Sequence, residues 1–198
     1  MKKFKGFESK IMSDFEELPA SGYVCEIKQA EEVYNQNGGS RLELFIDIAE
    51  GEQKGYYAKI YKEDTREDKK WRGKYVVFMP RDDGSEKDGW AKNRFNNVMG
   101  CIEDANPGYH WDWEERGLRG KKIALVFRRE EYKKSDGTTG WTVKPFKAIT
   151  VGNCKDGKWG KYDDKPLNDK GAAGNYYSPS AFPTNFAEIA EEDDDLPF

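Results

Sequence analysis

The chain has 198 residues, of which 36% are hydrophobic and 35% charged, enough apolar material for one domain of roughly 150 residues and a polar extension. Its formal charge of −4 argues against a nucleic-acid binder until its distribution is read: Glu188–Phe198 holds six acids and no base, and in the remainder 33 bases face 31 acids. No apolar run approaches the ~20 residues that span a bilayer, so no membrane association is expected.

Residues 1–20 read as an N-terminal arm. Its start, MKKFKGFESK, is basic but lacks the apolar core of a secretory leader, so a cytoplasmic location is expected. A folded body is expected over residues 21–151. Ser21-Gly-Tyr-Val-Cys-Glu-Ile-Lys28 opens a strand with Tyr23, Cys25 and Ile27 on one face. Asn35-Gln-Asn-Gly-Gly39 is turn chemistry, because Asn and Gly tolerate positive φ. In the next strand Leu42, Leu44, Ile46 and Ile48 point one way, and Arg41, Glu43, Phe45 and Asp47 the other. Tyr56-Tyr-Ala-Lys-Ile-Tyr61 reads as a third strand, and Trp71–Met79 as a further one.

Phe95, Val98, Met99 and Ile102 share one face at helical spacing, predicting a helix from about Asn93 to Asp104 that Asn106-Pro-Gly108 ends. Lys121–Arg129 and Trp141–Ile149 follow as strands of a hairpin turned at Ser135-Asp-Gly137. This order predicts a mainly β fold: a five-stranded, OB-fold-like barrel with one helix between strands three and four. Residues 152–185 form a polar linker whose first part Trp159 and Tyr162 can pin to the barrel, and residues 186–198 an acidic, disordered tail.

An OB barrel binds single strands across its second and third strands and the flanking loops. Arg41 and Phe45 on the second strand, and Tyr57, Lys59 and Tyr61 on the third, offer rings for stacking and cations for phosphates. The opposite alternation, with Tyr57 and Tyr61 in the core, is equally compatible with the pattern. Trp71, Arg72 and Lys74 form a second basic-aromatic group; Lys121, Lys122, Arg128, Arg129, Lys133, Lys134, Trp141 and Lys144 bracket the hairpin. Lys92 and Arg94 on the helix are weaker candidates.

Catalysis is not expected. His110, the sole histidine, has no evident partner, and no glycine-rich phosphate loop is present. Cys25, Cys101 and Cys154 are odd in number and far apart, without a CxxC pair, so free thiols are expected and no metal or other cofactor. Asp82-Asp83-Gly84 and Asp163-Asp164 are ordinary turn chemistry.

The chain ends Glu191-Glu-Asp-Asp-Asp-Leu-Pro-Phe198. An apolar tip on an acidic segment has the character of a ligand: Phe198 fills a partner's pocket, Pro197 stiffens the tip beside Leu196, and Asp193, Asp194 and Asp195 steer it toward a basic rim. These residues resemble the tip of bacterial single-stranded DNA-binding proteins, which end in several aspartates followed by Ile-Pro-Phe. Ile46-Asp-Ile-Ala-Glu-Gly51 with Gly55-Tyr-Tyr57 resembles small phage-encoded proteins of single-stranded DNA-binding or recombination modules. The resemblance implies sequence-nonspecific binding of single-stranded DNA in replication, recombination or repair, in a host cell's cytoplasm if phage-encoded. It implies a tip that recruits a helicase, exonuclease, primase or recombination mediator. The bacterial homotetramer is not carried over, which leaves a homo-oligomer of this chain open. The rival reading is a protein-interaction adaptor whose body never touches nucleic acid.

Overall fold

The computed structural model describes residues 17–36 and 38–167. Most of the N-terminal arm, the linker beyond residue 167 and the acidic tip, including Asp193–Phe198, lie outside them. Strand β1 (Gly22–Tyr34) and strand β2 (Ser40–Ile48) pair antiparallel, with a bulge between Ile27 and Gln29. Helix α1 (Tyr56–Glu63), strand β3 (Lys74–Phe78) and helix α2 (Glu86–Ala105) follow. Strand β4 (Lys122–Lys133), strand β5 (Thr139–Ile149) and a short helix α3 (Val151–Lys155) complete the body. The sheet is five-stranded and antiparallel, in the order β3-β2-β1-β4-β5, with α2 between the third and fourth strands. That mainly β, OB-like arrangement is the expected one.

The sheet is not closed into a barrel. β3 and β5 are its edges; they approach one another without a hydrogen-bonded ladder, and α2 packs against both. Two α2 side chains cap β5 instead: Arg94 donates to the Phe146 carbonyl and Asn97 to the Ala148 carbonyl, both at 3.1 Å. Those acceptors are thus satisfied without a strand partner. The core between sheet and α2 holds Ile27, Leu44, Ile46, Val98, Ile102 and Leu125, with Leu18 of the arm buried beside them.

The expected third strand over Tyr56–Tyr61 is a helix. Gly55 adopts φ 73°, a left-handed conformation that breaks the extended chain after β2. The buried Asp47 carboxylate then accepts the N–H groups of Tyr57, at 2.9 Å, and Ala58, at 3.3 Å, serving donors that a helix start leaves unpaired. Tyr57 and Ile60 become the buried pair at helical spacing, so Tyr57, Lys59 and Tyr61 form no common row. The strand that follows is shorter than expected. Trp71 precedes it as a buried ring donating its indole N–H to the Ile46 carbonyl at 3.0 Å, and Gly73 passes so close that a Cβ there would lie 2.2 Å from that oxygen.

Past α3 the chain returns to the sheet. Trp159 packs with Val24, Val126 and Ile149 on the face opposite the main core. Lys165 then pairs with β4 where β1 has ended: its N–H donates to the Arg129 carbonyl, and its own carbonyl accepts from Glu131, both at 2.9 Å.

Candidate nucleic-acid interface

The face of β2 and β3 on which Arg41, Phe45 and Lys74 stand is organised around a buried acid. Glu43, only 2% exposed, accepts from Arg41 Nε at 2.7 Å on one oxygen and from the Lys74 ammonium on the other. The Lys74 ammonium also lies 4.8 Å from the Phe45 ring centroid, and Phe45 is 5% exposed. Tyr57 and Trp71 are buried as well, so three of the rings expected to stack bases offer them no open face. Tyr61 is half-buried, 5.9 Å from Trp71, with the Lys69 ammonium 4.4 Å from its centroid. Lys59 is exposed on α1, and Arg72, also exposed, reaches Asp64 at 3.5 Å. Arg66 grips the same carboxylate and holds its pKa well below the ordinary range. Cations on this side are largely answered by acids already in place.

The β4–β5 hairpin is built differently. Residues 121–149 carry eight Lys and Arg against three Asp and Glu. A bulge between Val126 and Phe127 leaves Phe146 unpaired in the ladder. The Arg128 guanidinium lies 4.4 Å from the Phe146 centroid, and the Tyr162 ring meets Phe146 edge-on at 4.7 Å. The Lys147 ammonium donates to the Tyr162 hydroxyl at 3.0 Å. Lys144 is exposed directly opposite Arg128 in the register.

One residue further along β4, the Arg129 guanidinium lies 5.1 Å from the Trp141 centroid. Trp141 is 37% exposed and can accept a base on its open side. Arg129 also faces Asp164 at 3.4 Å, and its Nε is buried with no hydrogen-bond partner among the described residues. Arg128 is paired to Glu130 at 2.8 Å, so the hairpin cations are not all unanswered. The two cation–ring pairs stand on opposite faces of the hairpin, Arg128 and Phe146 on the side of the second apolar cluster and Arg129 and Trp141 on the side of the main core. Lys133 and Lys134 extend it to the turn.

Lys121 and Lys122 stand apart, at the far end of β4. The Lys121 ammonium sits 4.7 Å from the Tyr109 centroid, and Lys122 bridges Glu50 at 2.8 Å. Glu50 is gripped by Lys155 too, at 3.0 Å, and the two ammonium groups lower its pKa. Phe146 and Lys147 join the surface although sequence reasoning does not single them out. Their signal is weak, because the bulge takes Phe146 out of the two-residue alternation.

A third surface has the opposite sign. Residues 103–115 contain five Asp and Glu and no Lys or Arg. Trp113, in a left-handed conformation at φ 69°, stacks on Phe95 with centroids 5.8 Å apart and is 71% exposed. Carboxylates around that ring disfavour a phosphate backbone.

The chain matches no family model and no curated protein. Among the described residues no three His, Cys, Asp or Glu converge to hold a metal, and no helix is long and apolar enough to cross a membrane. The three thiols are free and buried, and burial raises the pKa of each, Cys101 to about 11.

Proposed function

We propose that this protein binds single-stranded DNA without sequence preference and without catalysis, in replication, recombination or repair and in a phage setting, using the β4–β5 hairpin as its principal contact surface. The observation that carries this reading is the pairing of cation and ring on both faces of one hairpin: Arg128 over Phe146, Lys147 against Tyr162 and an exposed Lys144 on one, and Arg129 over the partly exposed Trp141 on the other. Every base has a π-face, so stacking on such rings is sequence-tolerant and contributes about 1–3 kcal/mol per base. Lysine and arginine add the phosphate contacts, and arginine planes themselves stack. On the same reading Asp193–Phe198 is a docking peptide for replication or recombination proteins.

The test is intrinsic tryptophan fluorescence during titration with oligothymidylate, repeated with duplex of equal length and at raised salt. Quenching by the single strand that weakens steeply with salt, through counterion release, is the expected result. Equal response to duplex, or no binding at low salt, overturns it. The acidic, aromatic surface at residues 103–115 favours a second reading, an adaptor that docks proteins through its body. That reading predicts no oligonucleotide binding and an interface with a shallow salt dependence.

A further inference from the structure

The cap on β5 lines up a second row of side chains beside the hairpin. Arg94 and Asn97 of α2 donate to Phe146 and Ala148, so helix and strand run side by side along the open seam of the sheet. Residues three and four apart share a helix face, which puts Lys87 and Trp90 on the stripe that continues through Arg94 and Asn97. Four helical residues advance about 6 Å, and two strand residues about 7 Å. The interval from Arg94 to Trp90 on the helix therefore matches that from Phe146 to Lys144 on the strand.

Trp90 is 72% exposed, and packing does not explain a ring of that size at that position. Its neighbours at three and four residues are Glu86, Lys87, Asn93 and Arg94, two bases against one acid. The stripe thus sets base, ring and base on the helix that runs beside the edge of β5 capped by Arg94 and Asn97.

We propose that Trp90 is a second stacking contact for the single strand, which leaves the hairpin near Lys144, crosses the capped edge of β5 and reaches α2 between Lys87 and Arg94. This rests on the single-stranded DNA reading above and adds a direction and a minimum length to it. Only a strand long enough to cross the seam engages Trp90.

The experiment compares the full chain with Trp90→Ala and Trp90→Phe, using oligothymidylates of about 4 and about 16 nucleotides, the range of site sizes of a single OB fold. Trp90→Ala weakens the longer oligomer at least about fivefold, the low end of what one stacked base contributes, and leaves the shorter one at its wild-type affinity. Trp90→Phe restores most of the loss, because a phenyl ring still stacks. Both variants melt at the wild-type temperature, since an exposed ring adds little to stability. Wild-type binding of the longer oligomer by Trp90→Ala overturns the proposal, as does an equal loss for both lengths. A Trp90→Ala effect confined to self-association, read by sedimentation without DNA, also overturns it. Failure of the wild-type chain to bind either length at low salt is a different result, and it sinks the parent reading along with this one.

Discussion

The β2–β3 face and the β4–β5 hairpin start from similar material, aromatic rings beside lysine and arginine, and end in opposite states. On β2 and β3 a single buried carboxylate, Glu43, draws Arg41 and Lys74 inward, and Phe45 and Trp71 are covered. On the hairpin β4 and β5 run past the end of β1 and Trp141 keeps an open side beside Arg129, while Phe146 is half-buried beneath Arg128 on the other face. A basic-aromatic pattern becomes a binding surface only where the topology leaves it uncovered and the local acids are too few to neutralise it. An OB-like order does not oblige the second and third strands to carry the contact.

The largest effect expected from this contrast is on DNA affinity. Replacing Arg128, Arg129 and Lys144 together by Gln reduces the slope of log affinity against log salt by about 0.7 for each phosphate no longer neutralised. The same titration on Arg41→Gln with Lys74→Gln changes the slope far less. Next, Trp141→Ala removes one stacked base, a loss of about 1–3 kcal/mol in oligothymidylate binding with little change in melting temperature. Glu43→Gln reverses the pattern. It costs about 1–3 kcal/mol of folding stability in denaturant melts, because a buried charge-assisted clamp is broken, and it alters DNA affinity less than the hairpin variants do.

A smaller effect tests the helices that brace the seam. Asp88 accepts the N–H groups of Arg81 and Asp82, at 2.7 and 2.9 Å, and Lys92 at 3.0 Å, and the Lys92 ammonium lowers its pKa. A carboxylate depressed in the folded state contributes stability above its unfolded pKa and loses it as pH falls through the folded value. Asp88→Asn therefore flattens the acid arm of the stability profile below the ordinary carboxylate range and leaves DNA affinity unchanged. Burial acts on Asp47 in the other direction, raising its pKa against the three N–H groups it accepts, so its titration favours the fold as pH falls. Smallest of all, deletion of Leu196–Phe198 leaves oligonucleotide affinity at or slightly above wild type while partner recruitment disappears.

Much of the fold is legible in the sequence because its signals are local. Leu42, Leu44, Ile46 and Ile48 alternate with more polar neighbours and mark β2, although the structure buries both of its faces, and Phe95, Val98, Met99 and Ile102 mark α2. The misreading of α1 comes from a window of only eight residues, in which Tyr57 and Ile60 at helical spacing compete with an alternation that fits a strand equally well. What decides between them is Asp47, ten residues earlier, capping the helix start. The covering of Phe45 and the Glu43 clamp are likewise tertiary, since Lys74 lies 31 residues from Glu43. On the hairpin the charges are legible from composition. The partnership of Arg128 with Phe146 is not, because it depends on a bulge.

The most direct test of the hairpin account is ultraviolet crosslinking of oligothymidylate to the full chain, with the crosslinked residues mapped by mass spectrometry. The expected adducts fall at Trp141, Phe146 and Tyr162 and vanish at high salt. Adducts concentrated at Phe45, Tyr61 and Trp71 would contradict it and return the binding surface to the second and third strands.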